Sequence, residues 1–254
     1  MDFNVDGDAR MNQKDNIFET EILKTGDFVF DERVVEVFPD MINRSVPGYS
    51  LVIPMIGLLA RQYAQDETNL YDLGCSLGAA SFAMSSAVRA EGACIWAVDN
   101  SPGMIRQLQS MLREDRRTGL VPVHVLHQDI LDTKIDNASV VVLNFTLQFV
   151  EQDKRNGLLK EVAAGLNPGG ILVLSEKIRF EDPVEQELQT LWHHEFKRAQ
   201  GYSELEIARK RDALENVMKP DSLQQQRERL HEAGFKHVYP WFQGFNFVSM
   251  VAMR

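Results

Sequence analysis

The sequence predicts an α/β domain whose sheet is mostly parallel and ends in an antiparallel hairpin. One observation is a strand, a glycine loop and a helix start that follow one another at residues 69–80. Another is the regular alternation of apolar runs with helical segments after that stretch. The third is a pair of C-terminal strands, VYPWFQ and FNFVSMVAM, separated by little more than Gly244. So short a join permits only an antiparallel pair.

The stretch NLYDLGCSLGAA, residues 69–80, predicts a ligand-binding turn between a buried strand and an alanine-rich helix. Gly74 and Gly78 can take backbone angles closed to other residues, and they let a ligand approach the N–H groups of the helix start. A nucleotide-like molecule suits such a loop. Cys75 is interpreted as a small thiol that fills space beside a ligand, in preference to a nucleophile.

A second feature stands at a matching distance along the chain. CIWAV, residues 94–98, is a short apolar run that ends in Asp99, 21 residues after Gly78. Folds that bind dinucleotides keep an acid for the ribose hydroxyls about 20 residues beyond the glycine loop. The loop and the acid together predict a nucleoside site.

The details of the loop select among nucleoside ligands. Ser76 stands where a G-x-G-x-x-G motif has its middle glycine, and no third glycine follows in register, which disfavours a nicotinamide dehydrogenase. The acid of Asp72-Leu73-Gly74 instead resembles the first motif of class I S-adenosylmethionine-dependent transferases. In that superfamily the acid after strand 2 holds the ribose, and an acid after strand 3 meets the adenine. Asp129, followed by Ile130, fits the last position.

The N-terminal part of the chain is predicted to contain a tail and two helices. MDFNVDGDARMNQKDN is polar and acidic and lacks the apolar segment of a signal peptide, so residues 1–20 are expected to be disordered. Residues 21–254 are expected to form a single domain. Its first helices are predicted at residues 32–43 and, after a Pro47-Gly48 break, up to residue 64.

The body of the sheet follows from strong local signals. Ser101-Pro102 is a helix start, with serine as the N-cap and proline at the first position. SVVVLNF, residues 139–145, is the nearly unbroken apolar run of a strand buried on both faces. Asn167-Pro168-Gly169-Gly170 ends a helix before the strand ILVLSEK. The predicted strands are 70–73, 94–99, 121–126, 139–145 and 171–177. The helix after the glycine loop is predicted to end near residue 90, and two further helices are predicted at 101–116 and 151–166.

Two polar residues outside the glycine loop have a site interpretation. Asn144 stands at the carboxyl end of its strand, and ligands of open α/β sheets sit just beyond that edge. Tyr49 follows the Pro47-Gly48 break, where it either caps the core or faces the ligand.

A helical insertion is predicted at about residues 181–219, with helices at about 183–199 and 203–218, before a last helix at 222–233. Within it, Arg211 interrupts an apolar stripe, because it shares the spacing of a buried helix face with Ile207, Leu214 and Met218. The arginine can lie along the core and pair with Glu215, or it can aim its guanidinium at a carboxylate in the site. The pattern alone leaves both possibilities open.

The composition indicates a single globular domain that acts on small molecules. The 254 residues are 44% hydrophobic and 25% charged, and no run of about 18 apolar residues is present to span a membrane. The formal net charge is −10 without a dense basic cluster, so direct binding of nucleic acid is not expected. A cytoplasmic location is expected.

The cysteines and histidines do not predict a metal site. Cys75 and Cys94 are the only cysteines, too few for a disulfide framework or a four-cysteine zinc site. None of the six histidines pairs with a cysteine or an acid at the spacing of metal ligands. We therefore expect no metal.

From about Thr25 to its end, the chain resembles the carboxy-S-adenosyl-L-methionine synthase family. The shared motifs are FDERVVEVFPDMINRSVPGYS, LYDLGCSLGAA, AVDNSPGMI, VVVLNFTLQF, LNPGGILVLSEKIRFED, FKRAQGYSELEI, KRDALENVM and WFQGFNF. NFTLQF, GYSELE and LSEK are not general methyltransferase motifs, which makes the resemblance specific. It implies a class I methyltransferase-like Rossmann sheet that finishes in the antiparallel hairpin.

The resemblance also implies an activity. The family converts S-adenosyl-L-methionine and prephenate to carboxy-S-adenosyl-L-methionine and phenylpyruvate, and a second enzyme uses the product to build the 5-oxyacetyl group of tRNA wobble uridine. Arg211 would contact the transferred carboxylate, from its own subunit or across a homodimer. Matched by motif, the adenosyl ligand would be lined by Tyr49, Gly74, Cys75, Ser76, Asp99, Asn100, Asp129, Ile130 and Asn144.

The implied chemistry leaves two roles unassigned. Loss of carbon dioxide makes the ring of prephenate aromatic, and the positive sulfur acidifies its methyl protons, so a strong nucleophile is unnecessary. No general base can be named from the sequence. The basic residues Lys177, Arg179, Lys197 and Arg198 are candidates to bind the other carboxylate of prephenate.

Two further functions remain alternatives at this stage. An ordinary methyltransferase that acts on tRNA or a small metabolite would share the same sheet motifs. A non-catalytic adenosyl-binding subunit of a tRNA-modifying complex would bind the ligand without turnover.

Overall fold

A computed structural model describes residues 32–215 and 218–254, without the side chains of residues 32, 33 and 211–215. In this part of the chain seven strands form one sheet. They are β1 (Asn69–Leu73), β2 (Cys94–Asp99), β3 (Val123–His127), β4 (Ala138–Asn144), β5 (Leu166–Lys177), β6 (His237–Gly244) and β7 (Phe247–Met253). Their order across the sheet is β3-β2-β1-β4-β5-β7-β6.

The strand directions confirm the predicted fold class. Strands β1 to β5 pair in parallel, and β7 pairs antiparallel with both β5 and β6. Gly244 closes β6 opposite Phe247, so the join of the hairpin consists of Phe245 and Asn246. The chain reverses its order between β1 and β4, which creates a crevice at the carboxyl ends of the parallel strands.

Helices connect the parallel strands and precede the sheet, as predicted. Ser101 caps one of them by accepting a hydrogen bond from the Met104 N–H at 3.4 Å, with Pro102 at the first position. The described helices are α1 (Glu32–Ser45), α2 (Tyr49–Tyr63), α3 (Ala79–Ala87), α4 (Pro102–Glu114), α5 (Gln152–Gly165), α6 (Pro183–Ala199), α7 (Glu204–Glu215) and α8 (Leu223–Glu232).

Several predicted boundaries were wrong by a few residues. Helix α3 ends at Ala87 and not near residue 90, because Val88 is extended with ψ 146°. Strand β3 starts at Val123 and not at residue 121, because Pro122 has no N–H to donate to the ladder. Strand β5 starts at Leu166, which pairs with Ala138, so the NPGG stretch lies within it. The predicted extension of α7 to residue 218 was wrong, because Met218 is described and is not helical; residues 216 and 217 lie outside the described part.

The central strand β4 shows why the sheet is stable between two helical layers. Val141 and Leu143 pack into the core on one face, and Val140 and Val142 pack into the core on the other. All four are fully buried, and burying such a side chain contributes about 1.5–3 kcal/mol. No helix within the described residues combines the length and apolarity that a membrane crossing requires.

Candidate active site

A cavity of about 400 Å³ lies at the carboxyl ends of the parallel strands. Its lining includes Asp99, Asn144 and Lys177, which are the last residues of β2, β4 and β5. Helices α1, α2, α6 and α7 contribute further parts of its wall, among them Tyr49 at the start of α2. The cavity therefore occupies the crevice that the reversal of strand order creates.

The predicted site residues with described side chains all line this one cavity. They are Tyr49, Gly74, Cys75, Ser76, Asp99, Asn100, Asp129, Ile130 and Asn144. Arg211 belongs to α7, but its side chain lies outside the described part of the structure. Lining the cavity places these residues together, and their roles toward a ligand remain predictions.

The glycine loop after β1 is shaped for close approach to the backbone. Gly74 has φ 75°, and a Cβ added there would lie 2.3 Å from Thr146 Cγ2. Ser76 also has a positive φ, 49°, which is uncommon for a residue with a side chain. The Ser76 N–H donates a hydrogen bond to Asp99 Oδ2 at 2.9 Å, which fixes this conformation. The loop and the end of β2 are thus held as one unit.

Asp72 supports the loop from inside the core. Its Oδ2 accepts hydrogen bonds from the Ser81 N–H at 2.9 Å and the Ser81 hydroxyl at 2.6 Å, which ties β1 to α3. Burial raises the pKa of Asp72 to about 6, with a further contribution from Asp99. The first-motif acid therefore acts on the shape of the loop.

Asp99 retains capacity for a ligand. Its two oxygens accept from the N–H groups of Ser76 and Ser101 at 2.9 and 2.8 Å. Burial raises the pKa of Asp99, and the backbone N–H groups of Ser101 and Ser76 oppose that rise. A carboxylate has about four lone-pair sites, so hydroxyl groups can still donate to it.

Two polar side chains complete this half of the cavity. Asn144 Oδ1 is buried and has no hydrogen-bond partner among the described residues, which is unusual for a buried polar atom. Burial raises the pKa of Tyr49, followed by the effect of Asp72, so the hydroxyl stays protonated. A ligand donor facing Asn144 would satisfy its oxygen.

The opposite side of the cavity is lined by lysines. Lys177 ends β5, Lys197 belongs to α6 and Lys210 belongs to α7. Lys210 Nζ donates to Ser45 Oγ at 2.6 Å and to the Tyr202 hydroxyl at 3.2 Å. This concentration of cations in an acidic protein indicates a site for an anion.

Burial changes the protonation of the lysine side of the cavity. It lowers the pKa of Lys177, and together with Lys210 and Lys177 it lowers the pKa of Lys197 to about 7. His193 lines the same wall, and burial followed by Lys197 and Lys177 lowers its pKa to about 2. The neutral His193 ring donates from Nε2 to the Ser45 carbonyl oxygen at 2.8 Å.

The four basic candidates from the sequence separate into two pairs. Lys177 and Lys197 line the cavity. Arg179 donates from Nη2 to Gln225 Oε1 at 2.7 Å, and Arg198 pairs with Glu195 and Glu204, so neither arginine belongs to the lining.

Sequence reasoning missed Lys210 and His193. A signal for Lys210 existed, because it follows Ile207 by three residues and therefore shares its helix face. No comparable signal marked His193, whose neighbour Ser45 is distant in sequence. Among the described residues no group of three His, Cys, Asp or Glu side chains is placed to hold a metal ion, and the expected absence of a metal stays a prediction.

The fold has many relatives among solved structures. Human N-acetylserotonin methyltransferase in complex with S-adenosyl-L-methionine superposes with a TM-score of 0.59 at 16% identity, over 88% of this chain and 55% of that chain. An S-adenosyl-L-methionine-dependent methyltransferase from Methanococcus maripaludis gives a TM-score of 0.58 at 16% identity, over 91% of this chain and 97% of that chain. Residues 70–170 match a family model described as a methyltransferase domain.

The sheet order, the glycine loop and the cavity define an S-adenosyl-L-methionine-dependent transferase with the class I methyltransferase fold. Two closer relatives narrow the class. Carboxy-S-adenosyl-L-methionine synthase from Yersinia enterocolitica is 54% identical over 242 residues, covering 95% of this chain and 90% of that protein. The Yersinia pestis synthase is 54% identical over 247 residues, covering 97% and 92%. The chain belongs to the carboxy-S-adenosyl-L-methionine synthase family, as its motifs indicated.

Proposed function

We propose that this chain converts S-adenosyl-L-methionine and prephenate to carboxy-S-adenosyl-L-methionine and phenylpyruvate. One observation carries the proposal beyond family membership. A single cavity joins the glycine loop and acids of an adenosyl site to three lysines shielded from solvent, Lys177, Lys197 and Lys210, besides the exposed Lys154. A methyl transfer alone gives no reason for three cations beside the sulfonium, whereas a dianionic second substrate does.

The first half of the cavity fits S-adenosyl-L-methionine. Gly74 has no side chain to cover the backbone that would meet the methionine portion, and its φ of 75° suits glycine. Asp99 has lone pairs left for ribose hydroxyls, and Asn144 Oδ1 is buried without a partner among the described residues. Asp129, Ile130, Asn100, Cys75 and Tyr49 would form the remaining contacts.

The lysine half fits the two carboxylates of prephenate. Lys177 and Lys197 are the candidates for one carboxylate, because both line the cavity and neither side chain has a hydrogen bond to another described residue. Arg211, whose side chain is not described, is the candidate for the carboxylate that is transferred. A guanidinium can hold a carboxylate through two parallel hydrogen bonds.

The role of the protein in the reaction is mainly placement. Aromatisation of the prephenate ring supplies the driving force for loss of carbon dioxide, and the sulfonium acidifies the methyl group that receives it. Holding both reactants in one cavity turns encounters between separate molecules into an intramolecular step. Excluding water keeps carbon dioxide next to the methyl group, and the cations stabilise the carboxylate that forms.

Mass spectrometry of the adenosyl compound tests this function. The protein is incubated with S-adenosyl-L-methionine and prephenate, and the expected product has gained one carbon dioxide while phenylpyruvate appears in equal amount. A reaction without prephenate is the control. Formation of the demethylated compound would instead indicate an ordinary methyltransferase. An unchanged ligand that binds tightly would indicate a non-catalytic subunit.

The setting of the enzyme is part of the same proposal. By family resemblance the product supplies the 5-oxyacetyl modification of tRNA wobble uridine, in the cytoplasm, without a metal and without direct tRNA binding. A homodimer is supported by an exposed apolar stripe on α6, formed by Val184, Leu188, Leu191 and Trp192. Light scattering coupled to size-exclusion chromatography measures the oligomeric state, and a monomeric mass would contradict the dimer.

A further inference from the structure

Lys197 occupies an unusual position for a lysine. Its side chain enters the cavity from α6, and the residue is only 7% exposed. No hydrogen bond or ion pair joins its amine to another side chain in the part of the chain that the structure describes. Buried lysines are normally paired, so an amine placed this way is available to a substrate.

The groups around Lys197 are cationic or neutral. Lys177 approaches from β5 and Lys210 from α7, while His193 lies one turn earlier on α6. His193 is held neutral by burial, with its Nε2–H on the Ser45 carbonyl. Beside Lys210 stands Tyr202, whose ring also lies 4.0 Å from the Arg44 guanidinium of α1.

These surroundings make both protonation states of Lys197 accessible near neutral pH. Burial and the two neighbouring lysines lower its pKa to about 7, and acid–base catalysis works best with a pKa near the working pH. A bound dianion raises the pKa again, because an opposite charge favours the ammonium form. Departure of one carboxylate as carbon dioxide removes part of that charge and lowers the pKa at the moment a base is needed.

The proposed reaction requires two proton transfers, and no residue has yet been assigned to either. The ring hydroxyl of prephenate must leave as the ring becomes aromatic, and it leaves most easily as water. The sulfonium methyl must lose one proton before its carbon can bond to carbon dioxide. The proton lost in the second step equals the one consumed in the first, so a single group can serve both.

We propose that Lys197 is this group, acting as a general acid toward the departing hydroxyl and then as a general base toward the sulfonium methyl. The inference rests on the proposed function. In the first step the bond between the ring and the carboxyl carbon breaks, its electron pair enters the ring, and the C–O bond breaks with a proton from the Lys197 ammonium. The products are phenylpyruvate, carbon dioxide and water.

In the second step the neutral Lys197 amine takes a proton from the sulfonium methyl. The electron pair left on that carbon forms the new bond to carbon dioxide and gives the carboxylate. Lys197 is again an ammonium, so atoms, charge and protons balance over the cycle without an oxidant or a further reactant. Lys177 keeps the carboxylate that is not transferred in place throughout.

A Lys197→Arg variant separates acid–base catalysis from charge. Arginine keeps the cation but cannot deprotonate at any accessible pH. We expect kcat to fall about 100- to 1,000-fold, with KM for prephenate within about threefold of wild type. In wild type, kcat/KM for prephenate should decrease as pH rises above about 7, because the free enzyme loses its ammonium. The variant should lack this decrease.

Controls keep the test decisive. Calorimetric titration with S-adenosyl-L-methionine verifies that each variant retains the folded site, and the smaller Lys197→Met should lose kcat to a similar extent. Lys160→Arg, at an exposed position on α5, is the matched control and should behave as wild type. A Lys197→Arg enzyme with more than about a third of wild-type kcat and the same pH dependence overturns the inference. A wild type that makes no carboxylated product overturns the proposed function itself.

Discussion

The two halves of the cavity carry opposite charges and are built in different ways. The acidic half consists of Asp72, Asp99 and Asp129, on the side of β1, β2 and β3. The lysine half consists of Lys177, Lys197 and Lys210, from β5 and the two helices that follow it. In the acidic half every carboxylate already accepts a backbone N–H, from Ser81, from Ser76 and Ser101, or from Leu131.

The difference indicates which half awaits a charged partner. Backbone N–H groups stabilise the acids whether or not a ligand is bound, so this half is preorganised. The lysines repel one another, and among the described residues Lys177 and Lys197 have no carboxylate partner. A bound anion relieves their mutual repulsion, so the lysine half favours binding of a dicarboxylate.

The largest effect should come from removing Arg211, the cation that the family resemblance assigns to the transferred carboxylate. Arg211→Ala should leave affinity for S-adenosyl-L-methionine nearly unchanged and reduce formation of the carboxylated product by about 100-fold or more, because an electrostatic stabiliser of the new carboxylate is lost. Product is measured by mass spectrometry, and affinity by calorimetry. Arg113→Ala, exposed on α4, is the control. Near-normal product formation would show that Arg211 has no such role.

The halves should also differ in how pH affects stability. The pKa of Asp72 is raised from 3.8 to about 6, so the folded protein binds its proton more tightly than the unfolded chain does. Stability from this residue is therefore full below about pH 4 and is lost as pH rises through 6, by about 3 kcal/mol at most. In urea unfolding from pH 4.5 to 7, Asp72→Asn should lack this loss. Parallel curves for variant and wild type would contradict the assignment.

Lys197 should make the free energy of unfolding change with pH in the opposite direction in the same experiment. Its pKa is lowered from 10.5 to about 7, so the folded protein releases the proton more readily than the unfolded chain does. Stability from Lys197 is absent below about pH 7 and increases as pH rises toward 10. The unfolding free energy of Lys197→Met should therefore depend less on pH than that of wild type over this range. A variant with the wild-type slope would show that Lys197 stays charged.

A smaller effect is expected for the ribose-binding acid. Asp99→Asn keeps an acceptor for one backbone N–H but removes the charge that hydroxyls donate to. Affinity for S-adenosyl-L-methionine should fall about 10- to 30-fold, which corresponds to one charged hydrogen bond. KM for prephenate should change little. Asp132→Asn, exposed after β3, is the control, and an equal loss in that variant would remove the special role of Asp99.

The smallest effect is expected for Lys177, and it should concern prephenate and not S-adenosyl-L-methionine. Lys177→Met keeps the length of the side chain and removes its charge, so KM for prephenate should rise about five- to tenfold with KM for S-adenosyl-L-methionine unchanged. Steady-state kinetics with each substrate varied in turn measure both constants. Lys236→Met, at an exposed position before β6, is the matched control. A rise confined to KM for S-adenosyl-L-methionine would show that Lys177 does not bind prephenate.

The acidic half could be predicted from the sequence because its signals are local. Asp72 and Gly74 are two residues apart, and Asp99 ends the next strand, so parallel pairing of β1 with β2 brings them to one edge. Ser101-Pro102 likewise specified the start of α4. Boundaries were less certain, because the end of α3 at Ala87 depends on the backbone of one residue, Val88.

The lysine half could not be derived in the same way. Lys177, Arg179, Lys197 and Arg198 were equivalent as candidates, since each is a basic residue near the end of β5 or within α6. Packing of the insertion separates them, because Lys177 and Lys197 face the cavity while Arg198 pairs with Glu195 and Glu204 at the surface. Ser45, which joins His193 to Lys210, lies more than a hundred residues away from both.

The sequence alone determined the sheet, the glycine loop and the acids at its edge, because hydrophobic periodicity and turn chemistry act over a few neighbouring residues. The tertiary structure decided which cations enter the cavity and which of them are shielded from water. Burial and charge repulsion depend on how α6 and α7 pack over the strand ends. The same packing lowers the pKa of Lys197 into the range of acid–base chemistry.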